Sequence, residues 1–215
     1  MGIPVLILGA SGAGKSTSMR NFTAEEISVF NVASKPLPFK GKLPKMDGAS
    51  YEAIEAMLRK PTKNAYAIDD SQYLSVFDNM RRAKETGYGK FVDMAINEYN
   101  LVQTVIRETP ADVVVYFMRH IDIDDTGRIK AKTIGKMLDQ NLGGLEGLFS
   151  VVLLCGTDGT NHWFETQSDG YSSSKSPMGM FSEMRIDNDL KLVDKAIREF
   201  WELAPLTGKA KKDAV

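Results

Sequence analysis

Val5-Leu-Ile-Leu-Gly9-Ala-Ser-Gly-Ala-Gly14-Lys15-Ser16-Thr17 is the stretch that decides the fold. Val5–Gly9 is a short, apolar run closed by glycine, the reading of a strand buried on both faces. Gly9 through Ser16 then fits G-x-x-x-x-G-K-[ST], and a helix from about Lys15 to Phe22 is expected to follow. The spacing has a chemical reason. Glycines admit the positive-φ conformations that turn successive backbone N–H groups inward. Those groups, with a helix N-terminus behind them, hold phosphate oxygens. A strand before and a helix after separate such a loop from a chance match. Gly9, Ala10, Ser11, Gly12, Ala13, Gly14, Lys15, Ser16 and Thr17 are therefore the expected nucleotide-binding residues. Lys15 is placed to reach the β- and γ-phosphates, Ser16 to coordinate Mg2+, and Thr17 to face the α-phosphate. ATP and Mg2+ are the expected ligands.

Such a loop needs an acid at the end of another buried strand to orient the metal. Ala65-Tyr-Ala-Ile-Asp69-Asp70 supplies it, with Asp69 as the expected metal acid on the Ser16 side. Asp70 is a candidate base for an attacking water, and Glu25, Glu26 and Glu52 are competing suppliers. The apolar run Val113–Met118 is expected to pair beside the loop strand. It ends in Arg119-His120, which makes His120 a candidate sensor of the γ-phosphate.

The rest of the chain alternates strand-like and helix-like segments. Ile27–Val32 reads as a strand, and Ser50 as the cap of a helix to about Arg59 that Pro61 stops. Ser71 reads as a cap for a helix with Tyr73, Phe77 and Met80 inward. Gly87 and Gly89 break the chain before a longer helix from Phe91 to about Glu108. Asp125-Thr126-Gly127 marks a hairpin tip or a mobile loop. A short helix is expected near Lys136–Leu142, strands at Val151–Cys155 and His162–Gln167, and a last helix capped by Asp187 with Leu190, Val193, Ile197 and Phe200 inward. The fold class is α/β, a mainly parallel sheet flanked by helices with an antiparallel extension at its C-terminal edge. Residues 1–206 are expected to form one domain, and 207–215 a disordered basic tail.

Composition sets the outer limits. The 215 residues carry 27 Lys+Arg against 28 Asp+Glu, a formal charge of −1. Nucleic acid, if bound, must then meet a local patch or several assembled copies. The lone Cys155 excludes an internal disulfide and a Cys-rich zinc site, and within Val151–Cys155 it reads as a buried, inert thiol. No apolar run approaches the roughly 20 residues of a membrane span, and no basic region precedes the first apolar run. The expected location is the cytoplasm, with no membrane partner.

With these residues assembled, about residues 3–181 resemble the bacteriophage-type P-loop ATPases related to the RecA recombinase core, a group that includes single-strand annealing proteins. Asn31–Phe39, Phe117–Ile121, Lys132–Leu138 and Phe164–Phe181, with its Lys175-Ser-Pro-Met-Gly-Met-Phe, carry the likeness beyond the generic loop. The resemblance implies a RecA-like sheet, ATP bound between neighbouring subunits of a ring or filament, and loops that hold single-stranded DNA. A homo-oligomer is therefore expected, and a single-strand-binding protein is a further partner the resemblance allows. Arg128, Lys130, Lys132 and Lys136 fall where relatives carry a DNA-facing loop, although a solvated loop salted with Asp122, Asp124 and Asp125 reads the same way. Lys175 falls where a lysine from a neighbouring subunit would reach the γ-phosphate. Lys35, Lys40, Lys42 and Lys45 make the long Pro-rich connection Ala33–Gly48 locally basic, as a second DNA-facing element, an oligomer arm or a plain solvated loop. Two departures stand out: Asn31–Lys35 offers no catalytic Glu after the second strand, and a second recombinase half is absent. The expected function is ATP hydrolysis in DNA recombination, annealing or replication. A nucleotide-gated adaptor or helicase loader is the alternative, and a small-molecule or nucleoside kinase a weaker one, because the candidate lid Asp122–Lys136 mixes charges and is poor in Arg.

Overall fold

The computed structural model describes residues 1–206; the expected tail, 207–215, lies outside the described residues. The strands are β1 (Ile3–Gly9), β2 (Ser28–Asn31), β3 (Lys45–Asp47), β4 (Ala65–Asp69), β5 (Val114–Ile123), β6 (Ile129–Ala131), β7 (Val151–Thr157), β8 (His162–Glu165) and β9 (Arg185–Asp187). They form a sheet in the order β3-β2-β4-β5-β1-β7-β8-β9, with β6 paired to the C-terminal end of β5. From β3 to β7 the pairing is parallel; β8 and β9 extend the edge antiparallel. This is the α/β architecture with the antiparallel edge that the sequence leads one to expect.

Parallel strands covered on both faces must be apolar at every position. Strand β1 shows why: Leu6 and Leu8 enter one core, Val5 and Ile7 the other. β5 divides the same way, with Val115 and Phe117 against Val114, Tyr116 and Met118. Four helices cover the first face: α1 (Tyr51–Arg59), α2 (Tyr73–Arg81), α3 (Gly89–Arg107) and α4 (Met137–Leu142). A six-residue 3₁₀ helix over Ser16–Asn21 and α5 (Leu190–Phe200) cover the second.

The register brings the C-terminal ends of β1 and β4 level with the second half of β5. Gly9 of β1 stands opposite His120 of β5, and Ile68, one residue before Asp69, stands opposite Phe117. β5 lies between β1 and β4, as expected, but it runs on through His120 to Ile123, where β6 pairs with it, and does not end at His120.

Several local expectations change. The helix expected from about Lys15 to Phe22 is present between those two residues, as a 3₁₀ helix over Ser16–Asn21. Ser50 does cap α1, accepting from the Ala53 N–H, but the Ser71 hydroxyl donates to the Met118 carbonyl and caps nothing. Phe77 and Met80 are exposed, because the buried positions of α2 are Leu74 and Ser75. Ser75 turns inward because its hydroxyl finds Glu98 there. Gly89 begins α3 and does not interrupt it. Asp189, not Asp187, caps α5 through the Lys191 N–H, and Phe200 is exposed. Asp125-Thr126-Gly127 is indeed a hairpin tip, between β5 and β6.

Candidate functional site

The phosphate loop leaves β1 at Gly9 and turns through Gly12 (φ +80°) and Gly14 (φ +101°). These two positions need glycine, since a Cβ is strained there. Ala10, Ser11 and Gly12 are exposed at the tip; Ala13 and Lys15 are buried. The Lys15 ammonium donates to the Gly9 and Ala10 carbonyls at 2.8 and 2.9 Å. Burial lowers its pKa from the ordinary value, against the pull of Asp70 and Asp69. Thr17 is half-buried on the 3₁₀ helix, where its carbonyl accepts from Arg20 at 3.3 Å.

The Ser16 hydroxyl donates to Asp69 Oδ1 at 2.7 Å, across 53 residues of sequence. Asp69 is buried at the end of β4, and burial raises its carboxyl above the ordinary value while the Ser16 hydrogen bond opposes the rise. Among the described residues no three His, Cys, Asp or Glu side chains gather as a metal cluster. A Mg2+ ion needs no such cage: it takes one or two protein ligands and fills its octahedron with phosphate oxygens and water. One hydroxyl and one carboxylate already in contact fit that requirement.

Asp70 sits in the left-handed region at φ +57°. Its Oδ2 accepts from Lys35 at 2.8 Å, and its Oδ1 lies 3.3 Å from His120 Nε2. The structure thus brings Asp70, His120 and Lys35 into one cluster, a role for Lys35 that its place in a basic connection does not reveal. The Asp70 hydrogen bond raises the Lys35 pKa. His120 is lowered, first by burial and then by the nearby Lys15 charge. A neutral His120 therefore donates its Nε2 proton to Asp70. Glu26, a competing base, instead pairs with Lys191 at 2.8 Å on the α5 side, and Glu52 lies in the first turn of α1.

Two residues touch the loop that carry no sequence signal. His162 Nδ1 is 3.1 Å from the Ala13 carbonyl. Asn188 packs on Gly14, where a Cβ would stand 3.1 Å from both Asn188 Oδ1 and His162 Nδ1. Both come from the antiparallel edge, more than 140 residues downstream of the loop, and no local motif marks them. Cys155 lies beneath, its thiol pushed up to about 12 by burial, which agrees with an inert group.

The remaining candidates stand apart from this cluster. Arg128 and Lys130 project from the β5–β6 hairpin and, with Lys175, Asp124, Asp139 and Glu146, line a cleft of about 350 Å³. Lys130 pairs with Asp139 at 2.7 Å. Lys175 bridges its backbone to Val152 on β7, and its cleft contains no phosphate-loop residue. Lys132 and Lys136 are exposed. The Lys132 N–H donates to the His120 carbonyl, and its own carbonyl accepts from Arg119 Nε at 2.7 Å, so the hairpin is anchored at the candidate sensor. In the Pro-rich connection, Lys45 pairs with Asp47.

No protein-family model and no curated protein matches the chain. Among solved structures, it is similar to a prototypical ATPase from the type III secretion system of pathogenic bacteria, at 14% identity and a TM-score of 0.46. The alignment covers 72% of this chain and 51% of that one, so the chain spans about half the length of that ATPase. Among the described residues no helix is long and apolar enough to cross a membrane.

Proposed function

We propose that this chain binds ATP with Mg2+ and hydrolyses its terminal phosphoanhydride bond. The observation that carries the reading is the 2.7 Å contact between the Ser16 hydroxyl and the Asp69 carboxylate, which joins the phosphate loop to an acid on a distant strand. Ser16 and Asp69 would hold a Mg2+ ion, which would supply charge neutralisation to the phosphate oxygens. The loop N–H groups bind and orient the phosphates, and Lys15 adds a positive charge where negative charge develops. Asp70 takes the proton of the attacking water. The water oxygen bonds to the terminal phosphorus as the bond to the bridging oxygen breaks. His120, neutral and hydrogen-bonded to Asp70, holds that carboxylate toward the site.

The finer reading is a phage-type ATPase of recombination or annealing that acts as a homo-oligomer on single-stranded DNA. What supports it is the family resemblance together with the hairpin cations Arg128 and Lys130. Cations with no aromatic residue interleaved among them along the chain suit phosphate contacts better than base stacking. The test is ATP turnover with and without Mg2+, and with and without single-stranded DNA, beside the particle mass in solution. Mg2+-dependent turnover accelerated by DNA in a multimer is expected. Turnover indifferent to DNA removes the DNA reading and leaves the ATPase. No turnover under any condition removes both.

A further inference from the structure

We infer that His162, with the groove beside it, is the nucleoside subsite of the phosphate loop; this rests on the nucleotide reading above. The sheet order gives the direction. Asp69 ends β4, and His120 lies on β5 opposite Gly9; both strands lie on one side of β1. The metal and the terminal phosphate belong on that side. β7, β8 and β9 lie on the other side, so a triphosphate stretched across the loop turns its nucleoside toward them. The residue after Ser16 leads the same way: Arg20 donates both to the Thr17 carbonyl and, at 2.6 Å, to the Asn188 carbonyl.

His162 has the chemistry for the task. The Ala13 carbonyl can only accept a hydrogen bond, so the 3.1 Å contact places the proton of a neutral ring on Nδ1. Nε2 is then an acceptor on an exposed side chain. It can take a hydrogen bond from a ribose hydroxyl or from an exocyclic amine on the base. Next to it lies a groove of about 720 Å³, within the range of small-molecule sites. Phe181, Ile186 and the exposed Leu192 give it apolar lining, and Asn161, Glu183, Arg185 and Asp187 add polar and charged groups. Apolar lining interrupted by hydrogen-bonding groups suits a flat heterocycle that carries hydrogen-bonding groups on its rim. Gly14 completes the arrangement, because any side chain there meets both Asn188 and His162.

The test compares two ligands by calorimetry in the presence of Mg2+: ATP, and inorganic tripolyphosphate, which has the phosphates without the nucleoside. His162→Ala is expected to weaken ATP binding about tenfold, the worth of one good hydrogen bond, and to leave tripolyphosphate unchanged. Leu192→Asp, a change at an exposed position, is expected to show the same split and guards against a folding defect in the first variant. Equal weakening of both ligands by His162→Ala makes the residue a prop of the loop and overturns the subsite, as does no effect on either. A wild type that binds neither ligand overturns the phosphate-loop reading itself and the subsite with it. Binding of dATP and ITP to the wild type separates the two donors: loss with dATP points to the ribose hydroxyl, loss with ITP to the amine.

Discussion

Asp69 is a carboxylate kept against its own preference. Burial raises its pKa, so the fold favours the protonated form more than the unfolded chain does. Its favourable contribution is full below the ordinary carboxylate value and is lost as pH rises through the raised one. At neutral pH the ionised group therefore opposes folding, which is the expected signature of a site that waits for a cation. Asp69→Asn should raise the thermal midpoint of the metal-free protein by roughly 2–4 °C, the shift that about 1 kcal/mol produces in a chain of this size. The same variant should lose the Mg2+ dependence of nucleotide binding. A lowered midpoint with unchanged metal titration would show that Asp69 is only a structural acceptor for Ser16. His120 carries the opposite sign. Its pKa lies below the ordinary histidine value because of burial and the Lys15 charge. Its contribution to stability is present above about pH 6.5 and is lost as pH falls through the depressed value. Chemical denaturation across that window should show a decline that His120→Gln flattens. Parallel profiles for the two proteins would mean that the imidazole does not titrate with folding.

Elements were legible in the sequence where one physical rule acted alone. The buried strands β1, β4, β5 and β7 announce themselves as apolar runs, because a parallel strand covered on both faces tolerates nothing else. Ser50 was readable as a cap because capping is decided within a few residues. Asp69 was readable because a buried run ends in it. What stayed hidden was set by tertiary partners. The face of α2 turns Ser75 inward because Glu98 and Tyr51 are there to bond it, which no periodicity of α2 reports. Lys35 reaches Asp70 from the connection that follows β2, and β3 and β9 are three-residue edge strands, too short to show a pattern. Helix α5 shows the same principle in its stability. Asp194 and Arg198 form a buried pair, and Tyr116 donates to Asp194 at 2.7 Å. The Arg198 guanidinium also donates to the carbonyls of Asn64, Asp112 and Ala204, so one side chain joins the helix to the starts of two strands. Arg198→Met should destabilise the protein by about 3–5 kcal/mol, the range for stranding one partner of a buried ion pair. Urea unfolding measures it. A loss below about 1 kcal/mol would show that Asp194 takes up a proton and stays without its partner at little cost.

Over the whole molecule the candidate groups fall into two territories. Lys15, Ser16, Asp69, Asp70 and His120 meet where β1 and β4 end beside β5, while Lys175 shares a cleft with Arg128 and Lys130. If Lys175 serves the γ-phosphate, it serves the site of a neighbouring copy through a head-to-tail interface. A near-neutral chain fits the same arrangement, since a few cations repeated around an assembly replace a global positive charge. Mixing defective subunits tests this directly. Lys15→Ala destroys the loop of its own subunit but leaves its Lys175 intact; Lys175→Ala does the reverse. Each variant alone should be nearly inactive. Mixed in equal amounts and allowed to exchange, they place an intact loop against an intact Lys175 at about one interface in four, so turnover should recover to about a quarter of the wild-type rate. Recovery depends on exchange, which the mass of tagged and untagged subunits in one particle verifies. If exchange occurs and the mixture stays inactive, Lys175 acts on its own loop or not at all. If Lys175→Ala alone retains wild-type turnover, the cleft it shares with Arg128 and Lys130 has no part in hydrolysis, and the site is complete within one chain.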